Sequence, residues 1–189
     1  ITINAFPGAS AVNTFTLKPQ TTATISGSSA SCILRLNGAD FVTIDGSSSG
    51  GSDRSLTILN TNNAAATAAV CLQSLGAGLG STNDAVKNCN LACGVDQSAS
   101  TSETFGIITH GTTISTTNDG ADNDNNSFIN NAITKVRWGI YIRGASGNQN
   151  DNINISGNLI GPAAFGSDEI GKGGVVIQHV NAATITQHE

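Results

Sequence analysis

Methionine is absent from this 189-residue chain, tryptophan and tyrosine occur once each, and aromatic residues make up 4% of it. Charge is scarce too: Asp, Glu, Lys and Arg amount to 11%, against about 25% in an ordinary soluble domain. Eight basic and thirteen acidic side chains leave a net charge of −5. The clustered Lys and Arg of a general nucleic-acid binder are therefore missing, and no nucleic-acid partner is expected. No run approaches 18 consecutive apolar residues, which excludes a transmembrane helix and with it insertion into a membrane by helices. The N-terminal stretch lacks the basic, then apolar, then small-residue pattern of a signal peptide. The first residue is not Met, so the sequence reads as a mature product, an internal fragment or a trimmed chain. Helix-forming residues are too sparse for a helical bundle.

Small polar and turn-forming residues take the place of what is missing: 22 Gly, 21 Asn, 21 Thr and 20 Ser. Hydrophobic residues still reach 38% and recur in short β-branched runs, which a disordered chain would lack. One set of runs reads Leu34-Arg35-Leu36, Val70-Cys71-Leu72, Ile107-Ile108-Thr109, Ile140-Tyr141-Ile142 and Val175-Val176-Ile177, at steps of 36, 37, 33 and 35 residues. Its outer positions are apolar except Thr109, the period of two of a strand with one buried face. A second set follows: Val42-Thr43-Ile44, Asp84-Ala85-Val86, Asn126-Ser127-Phe128, Ile153-Asn154-Ile155 and Ala183-Thr184-Ile185, with Phe15-Thr16-Leu17 ahead of them. A third has single apolar anchors at Ile25, Ile58, Leu91, Ile133 and Ile160. Val86 to Leu91, Phe128 to Ile133 and Ile155 to Ile160 are spaced alike, five residues apart, with Asn or Cys in the corner between.

Three short strands per repeat, in fixed order, predict a parallel β-solenoid in which each winding covers the apolar face of the next. Asn suits the corners because it tolerates the left-handed backbone and bonds its own turn. Stacked Asn side chains can form an amide ladder. A β-sandwich is the alternative, but its turn signals recur every 8–12 residues rather than near 35. Residues 46–55, 73–83, 94–104, 110–125 and 161–173 read as loops at the corners of the solenoid. No composition shift marks a domain boundary, so residues 1–189 form one segment.

The runs "DFVTIDGSSSGGSDRSLTILNT", "NSFINNAITKVRWGIYIRG" and "NDNINISGNLIG" resemble the right-handed parallel β-helix repeats of the pectate-lyase-like superfamily. More narrowly, they resemble the β-helix regions of large secreted bacterial surface proteins. The resemblance spans roughly residues 14–189. It implies an all-β, right-handed parallel β-helix of about five coils of three short strands. It does not imply an activity, because the superfamily holds lyases, hydrolases, epimerases, adhesins and structural segments.

Candidate sites are few. The outward positions Arg35, Cys71, Ile108, Tyr141 and Val176 form one column, and Thr43, Ala85, Ser127, Asn154 and Thr184 another. Neither column holds two carboxylates, so paired acids for glycoside hydrolysis are not assembled by the strands and no catalytic residue is assigned. The broken Thr column also disfavours ice binding. The segment Lys135 to Arg143 holds three of the eight basic residues with the only Trp and Tyr. Arg137, Trp138, Tyr141 and Arg143 are its candidate ligand-binding residues, suited to an acidic polysaccharide or a neighbouring subunit. The plainer reading is that Trp138 plugs a corner and the charges are solvated. Asp119, Asp122 and Asp124 are candidate Ca²⁺ ligands, although their spacing is not that of an EF-hand and Asp-rich loops are common as turns. No other cofactor is implied. His110, His179 and His188 are scattered and read as surface residues. Cys89 and Cys93 straddle a corner and are the candidate disulfide, if the loop brings their Cα atoms within about 7 Å; buried free thiols are the alternative. In the strand register Cys32 points inward and Cys71 outward, which argues against a bond between them.

The expectation is a non-enzymatic structural or adhesive segment of an extracellular bacterial surface protein or filament. Its open ends would associate end to end or continue into a longer β-helix, because an uncovered sheet edge invites pairing. The alternative is a carbohydrate-active enzyme or glycan-binding module.

Overall fold

The computed structural model describes residues 1–62, 66–94, 103–162, 164, 166 and 168–186. Its strands follow the chain in windings. The first holds β1 (Thr2–Asn4), β2 (Phe15–Leu17) and β3 (Ala23–Gly27); the second holds β4 (Cys32–Asn37), β5 (Val42–Asp45) and β6 (Leu56–Asn60). The third has β7 (Thr67–Gln73), β8 (Ala85–Lys87) and β9 (Cys89–Cys93); the fourth has β10 (Thr104–His110), β11 (Ser127–Ile129) and β12 (Ala132–Thr134). The fifth has β13 (Val136–Arg143), β14 (Asn150–Ser156) and β15 (Leu159–Ile160), and the sixth β16 (Ile170–Gln178) and β17 (Val180–Thr186). Like strands stack into three sheets, ordered β1-β4-β7-β10-β13-β16, β2-β5-β8-β11-β14-β17 and β3-β6-β9-β12-β15. Every strand pair in them is parallel. The chain is a parallel β-helix with about six windings rather than five. The extra one is the first, whose strands at Thr2–Asn4, Phe15–Leu17 and Ala23–Gly27 precede the first complete set of apolar triplets.

The apolar columns read from the sequence are the register. Leu34, Val70, Ile107, Ile140 and Val175 stack in one sheet. Ile44, Val86, Phe128, Ile155 and Ile185 stack in the second. Ile25, Ile58, Leu91, Ile133 and Ile160 stack in the third. All but Ile185 meet in a single apolar core. Thr109 breaks its column without leaving a buried hydroxyl unpaired, because its Oγ1 accepts the Arg143 N–H at 2.9 Å.

Asparagine holds the corners, inside and out. Asn88, Asn130 and Gly157 occupy the same corner with φ of 59°, 51° and 62°, a left-handed conformation that Asn and Gly adopt at little cost. Asn130 Nδ2 donates to Asn88 Oδ1 at 2.7 Å on the outside. On the inside, buried Asn131 donates through Nδ2 to Asn158 Oδ1 at 3.0 Å and to the Val86 carbonyl at 2.9 Å. A further corner, two residues before the middle of each second-sheet triplet, is left-handed in five successive windings: Phe41, Asn83, Asn125, Asn152 and Ala182 have φ between 54° and 64°.

The first sheet departs from strict alternation, and this overturns one expectation. Ile33 and Leu34, consecutive in β4, both face the core, as do Ala69 and Val70 in β7. The strand kinks there, and residues before the kink change face. In the next windings the inner side of the kink narrows to glycine: a Cβ on Gly106 would lie 2.4 Å from Ile133 Cγ2. Cys32 therefore points outward, as Cys71 does. The two form a disulfide with Cα atoms 6.1 Å apart, across neighbouring windings and 39 residues of chain. The expected Cys89–Cys93 bond is absent; both thiols are free and buried. They lie on the same inward face of β9, four residues along an extended strand and so about 13 Å apart, too far to bridge.

Candidate functional site

The outward face of the first sheet is not a solvent face. Cys32, Ala68, Cys71, Phe105, Ile108 and Tyr141 form a second apolar layer there, capped by Ile114 from the following loop. The aromatic rings stack edge to face, Phe105 to Tyr141 at 5.6 Å and Tyr141 to Trp138 at 5.3 Å between centroids, a favoured ring arrangement. Lys172 Nζ sits 4.9 Å above the Trp138 ring.

This layer exists because residues 111–119 fold back over it and are tied down. Tyr141 Oη donates to the Thr116 carbonyl at 3.0 Å, and Arg143 Nη1 donates to the same oxygen at 3.2 Å. Arg143 also pairs through Nε with Asp119 and through Nη1 with Gln178 Oε1. The Asp119 hydrogen bond holds the Arg143 pKa above its ordinary value; burial raises that of Tyr141. Of the four residues singled out as ligand-binding, Tyr141 is 3% exposed, and it and Arg143 clasp the protein's own loop. Trp138 is half-buried beneath Lys172, and Arg137 uses its backbone N–H to reach Thr104 Oγ1 at 2.9 Å.

The three candidate calcium ligands are not brought to one point. Asp119 pairs with Arg143. Asp122 Oδ2 accepts the Gly78 N–H at 2.6 Å and Asn148 Nδ2 at 3.2 Å. Asp124 Oδ1 accepts the Asp151 N–H at 2.8 Å. Each braces backbone or a side chain of a neighbouring segment. Among the described residues no three His, Cys, Asp or Glu side chains are grouped to hold a metal ion.

A cavity of about 300 Å³ lies at the edge of the covered layer, lined by Ser31, Arg35, His110, Thr112, Thr113 and Ile114 with two alanines. His110 ends β10 beside Gln73 of β7. It is 1% exposed, so the expectation of a surface histidine is corrected. The side chain does point away from the core, but the returning loop closes over it. Neither ring nitrogen has a hydrogen-bond partner, and the Gln73 Oε1 atom is also unpaired. Burial pushes the His110 pKa down to about 4, with the Arg35 charge adding to the shift. The Gly111 backbone opposes it from outside hydrogen-bonding geometry. Arg35 Nη2 donates to Ser31 Oγ at 2.5 Å. His179 is exposed, as expected; His188 lies outside the described residues.

A second buried ionisable group lies in the ladder before β8. Asp84 is 2% exposed. Its Oδ1 accepts the Val42 N–H at 2.8 Å while Oδ2 has no partner. Burial raises its pKa to about 8, so the carboxyl is largely neutral at pH 7. One winding on, Asn126 fills the same position and satisfies both ends of its amide, with Oδ1 accepting the Asp84 N–H and Nδ2 donating to Ser81 O, each at 2.8 Å.

Arg35 and His110 were both visible in the sequence as outward-facing, at and just beyond the strand triplets. Nothing local marked the loop that turns their surroundings into a cavity. No protein-family model, curated protein or solved structure matches this chain.

Proposed function

We propose that the chain is a non-enzymatic structural segment of an extracellular bacterial surface protein or filament, a stiff rod of the right-handed, pectate-lyase-like kind. The observation that carries this reading is the continuity of the inward columns from winding to winding, with apolar residues only partly covered in the first and last. Phe15 is 42% exposed and Ile185 45%, although their column neighbours Val42 and Ile155 are fully buried. Open parallel edges and bare apolar columns are what a further winding would pair with and cover. A second copy stacked head to tail would supply such a winding. The Cys32–Cys71 bond supports an oxidising compartment, where disulfides persist.

Electron microscopy of the purified chain tests the proposal. Filaments with an axial repeat related to six windings, about 29 Å at 4.8 Å each, support it. Single particles at every concentration together with turnover in a polysaccharide screen would overturn it in favour of a carbohydrate-active enzyme.

A further inference from the structure

We propose that the cavity between Arg35 and His110 is a binding site for a small oxyanion, a carboxylate or phosphate group, held by the Arg35 guanidinium and accompanied by a proton taken up on His110. The site is distinct from the apolar windings on which the structural reading rests, and does not depend on that reading. Its size, about 300 Å³, is at the lower end of small-molecule pockets. Its lining sets the sign of the ligand. Arg35 carries a fixed positive charge, the hydroxyls of Ser31, Thr112 and Thr113 can donate, and among the described residues no carboxylate lines the cavity. A metal ion or organic cation is repelled by the guanidinium, whereas an oxyanion matches its fork of donors.

His110 supplies the second and independent observation. A histidine this buried is normally hydrogen-bonded, yet both of its ring nitrogens are free. As a neutral ring it offers one donor and one acceptor; as a cation it offers two donors. An oxyanion in the cavity accepts one of them. The acceptor for the other is Gln73 Oε1, unpaired on the adjoining strand and in register with His110. Among the described residues, the other charged groups at this end of β10 are Arg143 on β13 and its partner Asp119 from the loop, which largely offset each other. The anion thus places a negative charge beside Arg35 and His110, and one proton is drawn from solvent for each anion bound.

The test is a nitrogen NMR titration of the histidine rings in the intact protein, with inorganic phosphate and, separately, acetate as probes. The free protein should show His110 titrating well below the ordinary histidine range. Either probe should move the His110 midpoint upward by at least about one pH unit. Affinity should strengthen about tenfold per unit as pH falls between the bound and free midpoints, as linkage requires. A response to phosphate alone or to acetate alone supports the site and identifies the preferred group. Arg35→Gln should weaken binding at least about tenfold, and His110→Gln should remove the pH dependence while some binding persists. The proposal is overturned if about 50 mM of both probes, far above the range of a built site, leaves the His110 resonance unmoved. An Arg35→Gln protein that binds as well as the parent would also overturn it. The titration of the unsubstituted protein decides the matter even if a variant fails to fold.

Discussion

The middle windings and the terminal ones are built from the same kinds of residue, yet they differ in how well they are packed. In the column Leu17, Ile44, Val86, Phe128, Ile155 and Ile185, the four middle members are fully buried, Leu17 is half-buried and Ile185 is 45% exposed. Nothing in the identity of Ile185 distinguishes it from Ile155. What differs is that Ile155 has a winding on each side and Ile185 only one. Burial in a solenoid is therefore a property of the stack, and stability accumulates from neighbour to neighbour.

The comparison breaks most sharply at Phe128. Phe128→Ala should cost about 3–5 kcal/mol, whereas Ile185→Ala should cost less than about 1 kcal/mol; chemical denaturation of the two variants measures the gap. Similar losses would mean that the last winding is covered in solution, and the difference should then reappear on dilution. Next in size is the Cys32–Cys71 bond between the second and third windings. It closes a loop of about 40 residues, for which the chain-entropy relation gives about 4 kcal/mol. Cys71→Ser should lower the unfolding midpoint accordingly, and reductant should have no further effect on that variant.

Asp84 and His110 sharpen the comparison through pH, because both belong to the buried middle. The Asp84 pKa is raised from 3.8 to about 8, so between those values the folded chain holds a proton that the unfolded chain releases. This contribution to stability falls as pH rises through that window, by up to about 1.4 kcal/mol per unit. The His110 pKa is lowered from 6.5 to about 4, and its contribution runs the other way, lost as pH falls through that range. The two nearly cancel from about pH 4 to 6.5, and the decline should emerge between about 6.5 and 8. Asp84→Asn, which extends the Asn126 ladder by one winding, should abolish the decline and stabilise the protein above neutrality. Denaturation midpoints at several pH values would show it; a persisting decline would place its source elsewhere. The smallest effect is expected in the last winding. Ala182 has φ 64° where three earlier windings use Asn, and Ala182→Asn should gain up to about 1 kcal/mol. No gain would mean that this corner relaxes freely at the open end.

Much of the fold was legible because its rule is short-ranged and repeated. An apolar residue at alternate positions marks a strand, and the same triplet some 35 residues later marks the strand above it. Asn at corners followed from its tolerance of the left-handed backbone, and Asn88 and Asn130 adopt it. The kink in the first sheet was not legible, because two consecutive inward residues such as Ile33 and Leu34 look the same in sequence as one inward and one outward. That single change of face reversed the reading of Cys32. The site was hidden for a different reason. The approach of residues 111–119 to β10 and β13 depends on Thr116 and Asp119 meeting Tyr141 and Arg143, contacts between segments with no periodic relation.

The sequence alone determined the class of fold, the three columns and the residues that share them, since alternation and repeat length are properties of the linear chain. Tertiary structure decided which outward faces are wet. It buried Tyr141 and His110 under a loop, joined Cys32 to Cys71, and left the end columns bare. Such outcomes depend on which segments, distant in the chain, come to lie against each other, and composition or spacing carries no record of that.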